Sequence, residues 1–104
     1  MNENNLPQND NDIPEVVRIP ITGTIDLHTF HPKEVNDLLS EYLKECVKKG
    51  IYEVTIIHGK GTGALRKKVH GFLSSCKLVT SFKLADAHRG GWGATVAILK
   101  KPDQ

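Results

Sequence analysis

His58-Gly59-Lys60-Gly61-Thr62-Gly63 lies between the apolar run Val54-Thr55-Ile56-Ile57 and the helical pattern Ala64-Leu65-Arg66-Lys67-Lys68-Val69. A β-rich run that passes into a helix through three glycines reads as strand, loop, helix. In that arrangement backbone N–H groups and a helix N-terminus converge above the loop, which makes it an anion site. Glycine permits positive φ and close approach of a ligand, Lys60 adds a mobile positive charge, and His58 sits where the strand ends. Phosphate is the natural candidate. The alternative is a tight turn whose glycines let helix and strand pack.

Two familiar nucleotide motifs do not fit. A P-loop requires Gly-x-x-x-x-Gly-Lys-Ser/Thr, but Lys60 lies inside the glycine run and no Lys-Ser/Thr pair closes it. A dinucleotide fingerprint requires Gly-x-Gly-x-x-Gly with an acid about 20 positions on. Glycines 59, 61 and 63 miss that spacing, and the next acid is Asp86.

Working outward, Ile51 to Ile57 reads as a central strand with apolar residues on both faces, covered from both sides. A helix from about Ala64 to Leu73 buries Leu65, Val69, Phe72 and Leu73. It exposes Arg66, Lys67 and Lys68 near its N-terminus, where the dipole disfavours cations and an external anion would relieve them. Upstream, Val35, Leu38, Leu39, Tyr42, Leu43, Cys46 and Val47 form a full apolar helical stripe. That helix is opened by Pro32, with Thr29 or His31 as cap, and stopped by Gly50. Before it, Thr24-Ile25-Asp26-Leu27-His28 reads as a strand whose alternation places Asp26 and His28 on one face, opposite Ile25 and Leu27.

Leu78 to Leu84 and Ala94 to Leu99 complete a β-α-β-α-β-β order. Strands separated by helices run parallel, and the last two can pair antiparallel. The fold expected is a single-domain α/β sandwich with a mixed sheet, in two or three layers. Residues 1–15, rich in Asn, Asp and Pro, read as a disordered tail; Val16 to Ile21 reads as a strap, and residues 16–101 as the domain.

At 104 residues the chain has room for a modest core. The tail holds four acids and no base, leaving fourteen Lys and Arg against eight Asp and Glu from residue 16 onward, a basic body suited to polyanions. No run has the length of a membrane span and the start lacks the features of a secretory signal, so a cytoplasmic monomer without membrane contact is expected. Cys46 and Cys76 match no ligand spacing and read as reduced structural thiols.

Ligands of open α/β sheets bind at the carboxyl ends of the parallel strands. Asp26 and His28 end the first strand, His58 ends the second, and His88 with Arg89 opens the loop leaving the third; His31 falls nearby. Four of five histidines thus gather at one rim with the glycine loop, and only His70 stands apart as an ordinary helix residue. Such a set cleaves phosphodiesters in one of two ways. Asp26, His28 and His58 bind a divalent metal such as Mg or Mn, or two histidines act as base and acid while Arg89 and backbone N–H groups stabilise the transition state. Alternatively, Asp26 only fixes an imidazole tautomer.

Three stretches then carry a resemblance: Ile25-Asp26-Leu27-His28, His58-Gly59-Lys60-Gly61-Thr62-Gly63, and Gly90-Gly91-Trp92-Gly93-Ala94-Thr95-Val96. In this order and spacing, over about residues 18 to 100, they resemble the signature motifs of the Smr (small MutS-related) domain. The resemblance implies an α/β sandwich similar to the C-terminal domain of bacterial translation initiation factor three, and nicking-endonuclease activity on DNA or RNA. It maps the family's Asp and His onto Asp26 and His28, and its second-motif His and glycines onto His58, Gly59, Gly61 and Gly63. The first motif continues Thr29-Phe30 where many members carry a glycine, a departure that bears on the local turn. No mismatch sensing is implied, since the ATPase and clamp regions of MutS-type proteins are absent from so short a chain.

The leading expectation is a nuclease acting at Asp26, His28 and His58 on branched or structured DNA or RNA. Its phosphate contacts would be Gly59, Lys60, Gly61, Thr62, Gly63, Arg66, Lys67, Lys68, His88 and Arg89. The competing expectation is a non-catalytic nucleic-acid or ribosome-binding module using the same loop. A small-molecule phosphate enzyme is disfavoured by the lack of a second domain to close over substrate. Trp92, Phe30 and Tyr52 are the only aromatics available near the rim for base stacking.

Overall fold

In β1, Thr24–Asp26, Ile25 is buried between two exposed neighbours, and the alternation continues past the strand through buried Leu27 to exposed His28. The computed structural model describes residues 19–85 and 93–102. The expected tail, together with His88, Arg89 and Trp92, lies outside the described residues. Of the expected strap, Ile19 and Ile21 are described and pack against the core.

A turn closed by the Phe30 N–H donating to the Leu27 carbonyl leads into a short 3-10 turn, Pro32–Glu34, which runs on into α1, Val35–Lys48. His31 is the cap: its Nδ1 accepts from the Lys33 N–H at 3.1 Å, while Glu34 Oε1 accepts from the His31 N–H at 3.0 Å. This reciprocal bonding satisfies two donors that a helix start leaves open. His31 is therefore occupied in starting α1 rather than in the chemistry of the rim.

The apolar stripe of α1 faces inward, with Val47 at its end only partly buried. Val35, Leu39, Tyr42, Leu43 and Cys46 have no exposed surface, and burial of a side chain the size of Leu contributes about 1.5–3 kcal/mol. The Tyr42 hydroxyl reaches the start of β1, donating to the Thr24 carbonyl and accepting from the Gly23 N–H, both at 3.1 Å. This polar tie keeps a buried hydroxyl and two backbone groups satisfied.

β2, Glu53–Ile57, pairs parallel with β1, and α2 spans Ala64–Ser75. β3, Val79–Leu84, and β4, Ala94–Leu99, are antiparallel neighbours. The sheet order is β1-β2-β4-β3, so the last strand enters between the second and third. A register shift between Val79 and Ser81 adds one residue to β3. It lets Val79 and Phe82 both face the core although three positions separate them.

Both helices pack on the face that carries Ile25, Leu27, Val54, Ile56, Ala97 and Leu99. The observed architecture is the expected α/β sandwich with a mixed sheet, in two layers among the described residues. The expected cover on both faces of β2 is only partial among them. Among the described residues Ile57 packs against a small second cluster of Ala85, Ala94 and Val96, and Ile98 on the same face is 38 % exposed. A groove lined by Glu53, Lys83, Val96 and Ile98 runs along that face. No helix among the described residues is long and apolar enough to cross a membrane.

Candidate nucleic-acid interface and active site

β1 and β2 end side by side, tied by the Leu27 N–H donating to the Ile57 carbonyl at 2.7 Å. Asp26 and His28 leave the first of these ends and the glycine loop leaves the second, the position at which open parallel sheets bind ligands.

Asp26 and His28 are both exposed and are bonded to each other. Asp26 Oδ1 accepts from the His28 backbone N–H at 3.0 Å and contacts its ring Nδ1 at 2.5 Å. Burial acts to raise the Asp26 carboxyl pKa. The hydrogen bonds from the His28 ring and backbone, with the ring's charge, outweigh it and hold the group below the usual carboxylate value. With Nδ1 donating to the carboxylate, the neutral ring keeps its proton there and leaves the Nε2 lone pair as a base or ligand. The geometry thus contains the tautomer-fixing contact that the spacing of Asp26 and His28 allowed.

His58 does not join them. Register pairs Asp26 with Ile57, so residue 58 belongs to the opposite, helix-covered face. Its side chain is 4 % exposed, with Nε2 at 2.8 Å from Thr95 Oγ1 and Nδ1 at 2.9 Å from the Gly59 carbonyl oxygen. The expected single cluster of Asp26, His28 and His58 is therefore split by the sheet. No group of three His, Cys, Asp or Glu suited to hold a metal occurs among the described residues. Asp26 and His28 offer two donors side by side, of which Oδ1 and Nδ1 engage each other.

His70, expected to be an ordinary helix residue, reaches the same Thr95 hydroxyl, with Nε2 at 2.7 Å. Its ring stands edge-on to His58 at 6.1 Å between centroids and 5.0 Å from the Phe82 ring. Burial, then the positive charges possible on His58 and Arg66, lower its pKa. Sequence reasoning missed His70 and Thr95 as partners of the loop. The available signal was the stretch Gly93-Ala94-Thr95-Val96, which places a buried threonine on β4 beside the end of β2.

The glycine loop is shaped by backbone bonds. The N–H groups of His58 and Gly59 both donate to the Gly93 carbonyl, at 2.9 and 2.8 Å, so neither is available to an anion. The N–H groups of Lys60, Gly61, Thr62 and Gly63 meet no acceptor among the described residues. Gly59, Gly61 and Gly63 all have positive φ, at 79°, 30° and 88°. Gly63 is the N-cap of α2 and supplies no side-chain cap; Thr62 Oγ1 instead accepts from the Ala64 N–H at 3.3 Å. Lys60, Lys67 and Lys68 are exposed, Arg66 is partly buried beside Gly63, and no acid lies in the first turn of α2.

Of the aromatics, Phe30 packs on the core, and Tyr52 precedes β2 at the end remote from the loop, with Lys101 Nζ 5.8 Å from its ring centre. Neither offers a free stacking face at the rim. Cys46 is buried and its thiol is pushed up to about 11, chiefly by that burial.

A two-layer α/β domain with an Asp-x-His strand end and a glycine loop at the adjoining strand end is the form of the Smr domain. Residues 25–100 match the Smr domain family model, and the chain belongs to that family. It is 43 % identical over 86 residues to Endonuclease MutS2 of Thermomicrobium roseum, covering 82 % of this chain and 11 % of the relative. It is 41 % identical over 80 residues to Endonuclease MutS2 of Halothermothrix orenii, covering 77 % of this chain and 10 % of that one. The chain spans about a tenth of the length of these relatives. Among solved structures, the Smr domain of Thermus thermophilus MutS2 superposes with a TM-score of 0.72 at 34 % identity, covering 76 % of this chain and 99 % of that one. YdaL, a stand-alone small MutS-related protein from Escherichia coli, gives 0.72 at 26 % identity, covering 79 % and 67 %.

Proposed function

We propose that this domain binds the backbone of branched or structured nucleic acid at the glycine loop and cuts it with the Asp26–His28 pair. The observation that carries the reading is the pairing itself. A carboxylate fixes an exposed imidazole at one strand end, while the adjoining strand end presents unengaged N–H groups beside Lys60, Arg66, Lys67 and Lys68.

The neutral His28 Nε2 takes a proton from the water that attacks phosphorus, and the Asp26 carboxylate stabilises the imidazolium that forms. The bond from phosphorus to one sugar oxygen breaks, and that oxygen leaves and takes a proton from solvent. The loop N–H groups and flanking cations hold the phosphate oxygens where negative charge grows. His58 orders the loop from beneath. A divalent metal such as Mg or Mn would need ligands beyond Asp26 and His28, from the substrate or from residues outside those described.

The test is cleavage of branched DNA and structured RNA by purified protein, with and without EDTA. Wild type should cleave above a mock preparation. His28→Ala should bind equally well and cleave about 100-fold or more slowly, the scale of a lost general base. Binding without cleavage by wild type would instead support a non-catalytic binding module, and absence of binding would overturn both.

A further inference from the structure

We infer that His70 and Thr95 are positioning residues that fix the tautomer of His58 and, through it, the orientation of the Gly59–Lys60 peptide in the loop. The contacts form one chain: His70 Nε2 to Thr95 Oγ1 at 2.7 Å, Thr95 Oγ1 to His58 Nε2 at 2.8 Å, and His58 Nδ1 to the Gly59 carbonyl at 2.9 Å.

In the observed geometry, proton placement along this chain is read from its loop end. A carbonyl oxygen only accepts, so His58 Nδ1 must carry the hydrogen; a bare nitrogen there would set two lone pairs against each other. In the neutral His58 ring, Nε2 is then bare and accepts the Thr95 hydroxyl proton. That leaves only lone pairs on Thr95 Oγ1 for the second histidine, so His70 must donate from Nε2–H. Burial, the first of the causes that lower the His70 pKa, favours the neutral ring that this requires. Phe82, packed on the far side of His70, brings no charge.

The consequence for the loop follows from peptide geometry. All described peptides are trans, and in a trans unit the carbonyl and the next N–H point in opposite directions. Holding the Gly59 carbonyl against the buried His58 ring therefore turns the Lys60 N–H away from that ring, and the Lys60 N–H meets no acceptor among the described residues. With Gly59 at φ 79° and no side chain, this peptide has little else to stop it rotating. A rotated peptide would present a carbonyl oxygen to a phosphate. The functional part of this inference rests on the loop's proposed contact with phosphate; the tautomer part does not.

Long-range 15N–1H NMR of the histidine rings in the full chain tests both parts. In wild type, His58 should carry its proton on Nδ1 and His70 on Nε2. Thr95→Val and His70→Phe should each let His58 populate the Nε2–H form and shift the Lys60 amide resonance, and His70→Gln, which keeps a donor, should retain the wild-type pattern. Thr95→Val nearly preserves shape and covers the case in which His70→Phe fails to fold. Binding of a short DNA oligonucleotide should weaken about tenfold in Thr95→Val, the scale of one charge-assisted hydrogen bond. A wild-type His58 protonated on Nε2 alone, or an unchanged tautomer in both variants, would overturn the inference. A changed tautomer with an unmoved Lys60 amide would overturn its link to the loop. If wild type bound no oligonucleotide while the tautomers behaved as stated, the proposed function would fail and the positioning role would stand.

Discussion

Asp26 grips His28 at two points, accepting its backbone N–H and its ring Nδ1 with the same carboxylate oxygen. The residue between them, Leu27, is buried, so the pair is braced against the core while both polar side chains stay in solvent. An acid placed here repels a phosphate in the ground state unless the histidine stands between them. Asp26→Ala should therefore bind nucleic acid at least as well as wild type and cleave it about 100-fold or more slowly. Equal cleavage rates in a nicking assay would remove the pair from the active site.

The lowered pKa of Asp26 has a sign that can be checked. A carboxyl whose folded pKa lies below its unfolded one adds stability above the unfolded value and loses it as pH falls through the folded value. Wild type should melt above Asp26→Asn at pH 6, and the gap should close as pH drops from about 4, the unfolded carboxyl value, toward 2. A gap that persists at pH 2 would show that the pair is not the source.

The proposed phosphate binding by Lys60, Arg66, Lys67 and Lys68 should make affinity steeply salt-dependent. Replacing all four by Ala should flatten the plot of log affinity against log salt, by about 0.9 for each phosphate of duplex DNA that is no longer neutralised. An unaltered slope would exclude the loop and the start of α2 from the footprint.

A Cβ added at Gly61 meets nothing within 4 Å, although its φ of 30° disfavours side chains. Gly61→Val should thus fold, at a backbone cost of about 1–2 kcal/mol, and lose nucleic-acid binding because the valine stands where the ligand approaches. Circular dichroism with a binding titration separates the two effects; full affinity in the folded variant would leave the glycine a purely conformational role.

Tyr42→Phe removes the hydroxyl that bridges Gly23 and Thr24. Urea unfolding should show a loss of about 1–3 kcal/mol, the cost of buried polar groups left without a partner. No measurable loss would mean that water or a backbone shift replaces the tie.

Local signals were sufficient for much of this protein. The stripe from Val35 to Val47, the alternation around Asp26 and the run from Ala94 to Leu99 each express one period, and a period depends only on neighbours along the chain. With the like patterns of Ile51 to Ile57, Ala64 to Leu73 and Leu78 to Leu84 they gave both helices and the four described strands to within a few residues, and the rule that ligands gather at the carboxyl ends of parallel strands put the Asp26–His28 end near the glycine loop. Strand order and face required the tertiary structure. β4 enters between β2 and β3, and its pairing with β2, from Ile57 with Ala94 to Glu53 with Ile98, joins segments far apart in the sequence; only the register Asp26 to Ile57 shows that His58 faces the helices rather than its expected partners. His70 became part of the loop's support because docking of α2 laid it over Thr95, a meeting of residues 25 positions apart that no local pattern encodes.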